Sequence, residues 1–118
     1  MTTPEVRVGT VGYPTAKKTV WEAVDIVELT SAREAPPRPG TGRKWRSEAP
    51  ARLGFSIQAP RALFEEPPSG SPLPGDHKAY GGLRTSDENL ALWEATLRFA
   101  GAIGAEALMI LSPAEFTP

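Results

Sequence analysis

The chain has 118 residues, the size of one domain, with an apolar fraction of 40% and a formal net charge of −1. It has no cysteine and a single histidine, which excludes disulfides, thiolate catalysis, cysteine-ligated metals and chemistry that needs two imidazoles. Without excess positive charge, a long apolar run or a signal peptide, the sequence predicts a cytoplasmic protein that binds neither nucleic acid nor a membrane.

The first third of the chain predicts two strands with a short helix between them. Residues 5–11 are a β-branched run that Tyr13-Pro14 ends, and residues 25–30 alternate apolar with polar side chains. A helix over 15–23 joins them. Lys17 and Lys18 lie in its first turn, which is the unfavourable end of a helix dipole for a cation, so the helix is expected to depend on packing.

The middle of the chain predicts a third unit and a long irregular segment. A proline-rich loop leads to a helix over 42–48 that Thr41 can cap, and a strand over 53–59 follows. Residues 60–85 then contain no regular element. A loop this long is either functional or a surface excursion.

The last third carries the strongest helix signal. Residues 85–88 (Thr-Ser-Asp-Glu) match a capping box, and Gly104 lies at a typical stop position. Apolar residues at spacings of three and four predict one buried stripe on this helix: Leu90, Trp93, Leu97 and Ala100. The apolar run at 107–111 predicts a fully buried strand.

Together these elements predict one α/β domain over 1–118, built from (β/α) units. Strands that alternate with helices pair in parallel, because the crossovers between them are right-handed. The pattern therefore indicates a parallel sheet of about four strands.

Several segments carry a resemblance to a known family. They are Val8-Gly9-Thr10-Val11-Gly12-Tyr13, Val27-Glu28-Leu29-Thr30-Ser31, Gly54-Phe55-Ser56-Ile57-Gln58-Ala59-Pro60-Arg61, Ala102-Ile103-Gly104-Ala105 and Leu111-Ser112-Pro113-Ala114-Glu115-Phe116. In this order they resemble the YecE-like family of TIM-barrel proteins, whose biochemical function is not established. The resemblance implies a TIM-barrel-like half-barrel, because family chains are about twice as long and have eight strands.

The chain departs from the family at most polar positions. The family has asparagine, lysine and glutamine where this sequence has Thr30, Gln58 and Leu111, and a family tyrosine corresponds to Glu34. The charged positions that agree with the family are Glu28 and Arg61. The resemblance therefore implies that much of a family site is lost.

Barrel sites lie at the carboxyl ends of the strands. There the sequence supplies the candidate ligand-binding residues Thr10, Tyr13, Glu28, Thr30, Gln58, Arg61 and Ser112, with Glu115 beyond them. Glu28 could act as a base and Arg61 could clamp a phosphate or carboxylate, or the two could pair with each other or with backbone as structural groups. No catalytic residue, metal site or cofactor is predicted.

Other features favour structural interpretations. The glycines of Gly9-Thr10-Val11-Gly12 lack the rest of a dinucleotide or P-loop motif, so they predict a turn. His77 has no further ligand near it, and the cluster of Arg43, Lys44 and Arg46 is typical of a solvated helix face. Trp45 and Trp93 are expected in the core.

Three interpretations of function remain open at this stage. A non-catalytic half-barrel would act through self-association or a partner chain, because four parallel strands leave two open edges. Alternatively, the chain is an enzyme or binder of a small anionic metabolite at Glu28 and Arg61. The sequence could also be a truncated form of a longer product.

Overall fold

A four-stranded parallel sheet forms the centre of the protein, with its strands in sequence order, β1-β2-β3-β4. The structure is a computed structural model and describes residues 6–111. Its strands are β1 (Gly9–Val11), β2 (Ile26–Leu29), β3 (Gly54–Gln58) and β4 (Ala105–Met109), and its helices are α1 (Lys17–Ala23), α2 (Pro39–Glu48) and α3 (Asp87–Ile103). The predicted α/β fold with a parallel sheet is confirmed.

The two faces of the sheet differ in what covers them. Val27 of β2 is in register with Phe55 of β3, and Leu29 with Ile57; this face packs against the helices and forms the main core with Phe99. The opposite face carries Glu28, which is in register with Ser56. We call it the concave face, because it corresponds to the interior of a barrel.

An ion pair crosses the concave face from one side of the sheet to the other. Arg7 precedes β1, yet its Nη1 donates a hydrogen bond of 2.6 Å to Oε2 of Glu106 in β4. The pair passes over Gly54, where a Cβ atom would lie 2.5 Å from Nη2 of Arg7 and 3.0 Å from Oε1 of Glu106. Glycine at position 54 therefore makes room for a contact that joins the flanks of the sheet.

The predicted buried stripe of α3 is wrong by one position. Leu90 and Leu97 are 49% and 48% exposed, while Trp93 and Ala100 are half-buried. Two stripes at helical spacing overlap on this helix, and the side chains that fit against β3 and α2 decide which stripe is inside. The buried side chains are Asn89, Leu92, Thr96, Phe99 and Ile103.

The prediction that the last strand is fully buried is also wrong. β4 covers Ala105–Met109 and lies at an edge of the described sheet, where it has a neighbouring strand on one side. Met109 is 41% exposed, and Ile110 and Leu111 are 53% and 56% exposed. An apolar sequence is buried only where other elements cover it.

The segment between β3 and α3 is ordered by a second, smaller core. Two 3-10 turns, Arg61–Leu63 and His77–Ala79, interrupt it. Leu73 and Tyr80 are buried with Leu63 and with Leu92 of α3. The hydroxyl of Tyr80 donates a 2.6 Å hydrogen bond to the carbonyl of Pro74, and burial, with a smaller contribution from the charge of Glu88, raises the pKa of Tyr80.

The ends of the helices are determined by their local sequences, and some of them differ by a few residues from the predicted ends. α2 begins at Pro39, before the predicted cap Thr41, because proline fits the first turn of a helix. The cap of α3 is Ser86, whose Oγ accepts a hydrogen bond from the backbone N–H of Asn89. Gly104 ends α3 in the predicted left-handed conformation, with φ of 68°.

Within residues 6–111, no helix combines the length and apolar character needed to cross a membrane.

Candidate functional site

The predicted ligand-binding residues do not form one site. The structure divides them among the concave face, an exposed turn after β3, a cavity beside α1 and, for Thr10, the helix-covered face of the sheet. Thr10 lies in β1 in register with Val27, which places it on the helix-covered face. Ser112 and Glu115 lie outside the described residues.

On the concave face, Glu28 is paired with Gln58 rather than with Arg61. Nε2 of Gln58 donates a 2.8 Å hydrogen bond to Oε2 of Glu28. The same Gln58 side chain is buried, and within residues 6–111 its Oε1 atom accepts no hydrogen bond. This pair joins β2 to β3 as a structural contact.

Arg61 lies in the 3-10 turn after β3 and is held by two carboxylates. Its Nε donates to Glu65 at 3.1 Å, and its Nη1 approaches Glu34 at 3.5 Å. The hydrogen bond to Glu65, together with the charges of Glu65 and Glu34, raises the pKa of Arg61. The surroundings of this guanidinium already carry more negative than positive charge, which opposes the binding of an anion there.

The third location is a cavity of about 250 Å³ between α1 and α2, at the carboxyl ends of β1 and β2. Tyr13 and Thr30, both predicted site residues, line it. The residues around them that sequence reasoning did not assign to a site are Lys17, Trp21, Trp45 and Glu48. We call this space the aromatic cavity.

The aromatic cavity is built by residues four apart in the chain. This spacing separates Tyr13, Lys17 and Trp21. It brings side chains to one side of a helix, and Tyr13 lies just before the helix that carries the other two. Nε1 of Trp21 donates a 3.1 Å hydrogen bond to the hydroxyl of Tyr13 and so fixes the two rings. This spacing was the sequence signal that could have identified the cavity.

Trp45 joins the aromatic cavity to the main core. Its ring meets Phe99 edge-to-face with ring centroids 6.0 Å apart, and it is half-buried against the core cluster. Its role in the core and its place on the cavity wall are compatible. Trp93 is half-buried against the second core, away from this cavity.

The contacts of Gly12 and His77 agree with the structural roles predicted for them. Arg46 departs from the predicted solvated helix face, because it is half-buried and donates hydrogen bonds to the carbonyls of Pro50 and Leu53. Gly12 has a φ of +66°, as the turn interpretation requires. A ring nitrogen of His77 lies 2.7 Å from the carbonyl oxygen of Leu73, so this histidine is engaged within its own loop. Across residues 6–111, no three His, Cys, Asp or Glu side chains cluster closely enough to hold a metal ion.

Comparisons with protein-family models, with curated proteins and with solved structures find no match to this chain. The resemblance to the YecE-like family therefore remains a hypothesis based on the quoted segments.

Proposed function

We propose that this chain is a non-catalytic half-barrel of YecE-like type, cytoplasmic, that acts by associating with a second copy of itself. The observation that carries the proposal is the sheet: four parallel strands in sequence order, with β1 and β4 at its two edges. A (β/α)₈ barrel has eight such strands. Two copies would supply that number without any further element.

Both edges carry the apolar side chains expected of a surface that another chain covers. Val11 of β1 is 61% exposed, and Met109 at the end of β4 is 41% exposed. Edge strands also present unpaired backbone N–H and C=O groups that readily pair with another chain. Exposed apolar side chains beside such edges favour association.

The direction of the strands determines how two copies can be arranged so that both edges are paired. A two-fold axis along the barrel places β4 of each copy beside β1 of the other, in the same direction. Both seams then become parallel strand pairs, and the assembly closes instead of growing into a fibre. A dimer that joins two β4 strands across a perpendicular two-fold axis would leave both β1 edges open.

The polar groups support a structural role in preference to a catalytic one. Glu28 is engaged by Gln58, and Arg61 is engaged by Glu34 and Glu65. In a closed assembly the concave face becomes the barrel interior, which is normally filled by packed side chains. Val11 and Met109 would lie inside it.

The first test is the mass in solution, measured by light scattering on eluting protein across a range of concentrations. The expected result is a particle of twice the 12.6 kDa of one chain. A folded monomer at every concentration would refute the proposal. A stable complex that forms only with a different protein would also refute self-association.

The second test distinguishes the closed arrangement from other dimers. Val11→Asp places a carboxylate beside Glu28 on the β1 edge, and Met109→Asp places one beside Gln58 on the β4 edge. Each variant alone damages both seams of a closed dimer, so each is expected to be a monomer. Mixed together, they restore one undamaged seam and are expected to form a heterodimer.

Ala51→Asp is the matched control, because Ala51 is exposed in the turn before β3, away from the edges. It should remain dimeric. Circular dichroism of the monomeric variants checks that they are folded. If Met109→Asp abolishes the dimer and Val11→Asp does not, the closed barrel is wrong.

A second candidate function is the binding of a small anion near the carboxyl ends of the strands. Arg61 offers little support for it, because two carboxylates hold the guanidinium. The aromatic cavity supports it better, since Lys17 there has no ion-pair partner among residues 6–111.

A further inference from the structure

The aromatic cavity has the features of a small-ligand site that the half-barrel does not require. Its walls include the rings of Tyr13, Trp21 and Trp45, and Phe55 of the core closes one side. Ligand sites typically combine apolar and aromatic walls with a few placed polar groups. A volume of about 250 Å³ fits one or two fused rings rather than a large cofactor.

The cationic side chain of Lys17 lines this cavity. Nζ of Lys17 lies 5.5 Å from the ring centroid of Tyr13 and 5.8 Å from that of Trp45, within the range of cation–π attraction. Within residues 6–111, no carboxylate oxygen lies within the 4.0 Å of an ion pair with this ammonium. Lys17 is thus held over the rings with its charge free to attract an anion.

The position of Lys17 is not explained by the stability of α1. The first turn of α1 carries no acidic residue, and the helix has no side-chain cap. A lysine in the first turn interacts unfavourably with the helix dipole. Its attraction to the rings is therefore the main favourable interaction that the structure gives this ammonium.

Hydroxyl groups complete the polar part of the cavity. Tyr13 accepts a hydrogen bond from Trp21, while its own O–H has no acceptor within the described part of the chain. Thr30 and Ser31, after β2, also line the cavity, and each carries a hydroxyl group. These donors and Lys17 suit a carboxylate or phosphate group.

We propose that the aromatic cavity binds a small planar aromatic anion, whose ring packs against Trp21 and Trp45 and whose anionic group pairs with Lys17. Glu48 also lines the cavity and weakens this attraction, unless the ligand offers it an N–H donor. The inference is independent of self-association.

The same rings do not favour a cationic ligand. The ammonium of Lys17 already lies over Tyr13 and Trp45, so a second cation must displace it or accept repulsion between like charges. An anion gains attraction from the same group. The choice between the two ligand classes therefore depends on Lys17.

The test uses indole-3-carboxylate as the probe and ¹⁵N-labelled full-length protein. We expect the indole N–H signals of Trp21 and Trp45 to shift on titration, while Trp93, which does not line the cavity, serves as an internal reference. Indole-3-carboxamide has the same rings without charge, and cyclohexanecarboxylate has the charge without an aromatic plane. Both are expected to bind at least about tenfold more weakly.

Lys17→Met tests the role of the ammonium, and Lys18→Met is its matched control. Lys18 is in the same turn and equally cationic, but it does not line the cavity. Lys17→Met should weaken binding of indole-3-carboxylate about tenfold, Lys18→Met less than about twofold, and Glu48→Gln should strengthen it. The mass in solution should be the same in all three variants as in the native protein.

Three results would overturn the inference. One is the absence of any shift of Trp21 or Trp45 with indole-3-carboxylate at millimolar concentration. Another is equal binding of the acid and its amide. The third is preferential binding of benzyltrimethylammonium that Lys17→Met strengthens, because the cavity would then select cations.

Discussion

β3 and β4 are adjacent strands of five residues each, and their environments differ sharply. All five residues of β3 are buried, including the polar Ser56 and Gln58. In β4, none of the five is buried, although the chain continues apolar through Ile110 and Leu111. Hydropathy would place the second strand deeper than the first.

The difference shows that position in the sheet, rather than apolar character, sets burial here. β3 has strands on both sides, α2 and α3 over one face and the Arg7–Glu106 pair across the other. β4 has β3 on one side within the described residues. The apolar side chains of Met109, Ile110 and Leu111 therefore lie outside the internal core.

The largest expected effect comes from replacing an isoleucine by alanine, once in β3 and once directly after β4. Ile57 of β3 is fully buried, and Ile110, directly after β4, is 53% exposed. Ile57→Ala should lower the free energy of unfolding by about 2–5 kcal/mol, because it leaves a cavity in the core. Ile110→Ala should change it by less than about 0.5 kcal/mol in dilute protein.

Urea unfolding followed by circular dichroism measures both variants of this pair. The loss of unfolding free energy caused by Ile110→Ala should grow with protein concentration if the β4 side is covered in a dimer. If Ile57→Ala and Ile110→Ala lowered the free energy of unfolding equally at low protein concentration, the difference in burial between the two strands would be contradicted.

A smaller effect is expected from two glycines in the helices that cover β3. A Cβ atom at Gly42 of α2 would lie 3.2 Å from Cβ of Ala102 and 3.3 Å from the backbone nitrogen of Ile103, whereas Gly101 of α3 faces open space. Gly42→Ala should destabilise by about 1–3 kcal/mol through overpacking. Gly101→Ala should stabilise by about 0.5–1 kcal/mol, since alanine is the better helix former.

Thermal and urea unfolding of the two glycine variants show directly whether each substitution stabilises or destabilises the protein. Stabilisation by both alanines would mean that α2 can move away from α3 at no cost, and the close packing over β3 would then be unimportant.

The smallest effect is expected at the ion pair that links β4 to the other edge. The hydrogen bond from Arg7 lowers the pKa of Glu106. A carboxyl whose pKa is lowered by folding adds stability above its unfolded pKa, and that stability is lost as pH falls through the lowered folded pKa. Because both side chains are substantially exposed, the contribution is small.

Glu106→Gln should therefore flatten the acid side of the stability profile and leave stability near neutral pH almost unchanged. The measurement is the urea midpoint as a function of pH for the native protein and the variant. An unchanged acid slope in Glu106→Gln would show that the pair does not contribute.

The candidate site was predictable only in part, for physical reasons. Tyr13 and Thr30 follow strands, and the rule that barrel sites lie at strand carboxyl ends finds them. Lys17 and Trp45 escape that rule because they belong to helices, and their meeting depends on how α1 and α2 pack. Glu28 and Arg61 were predicted either to serve one ligand or to act as structural groups, and the structure gives each of them different partners.

The sequence alone determined the order of elements, the parallel sheet and the ends of α3, because strand–helix alternation, caps and glycine stops act over a few neighbouring residues. Tertiary structure decided which stripe of α3 is buried, that β4 is an edge of the described sheet, and that the ammonium of Lys17 meets the rings of Tyr13 and Trp45. Those outcomes depend on which elements become neighbours in space, and spacing along one element carries no such information.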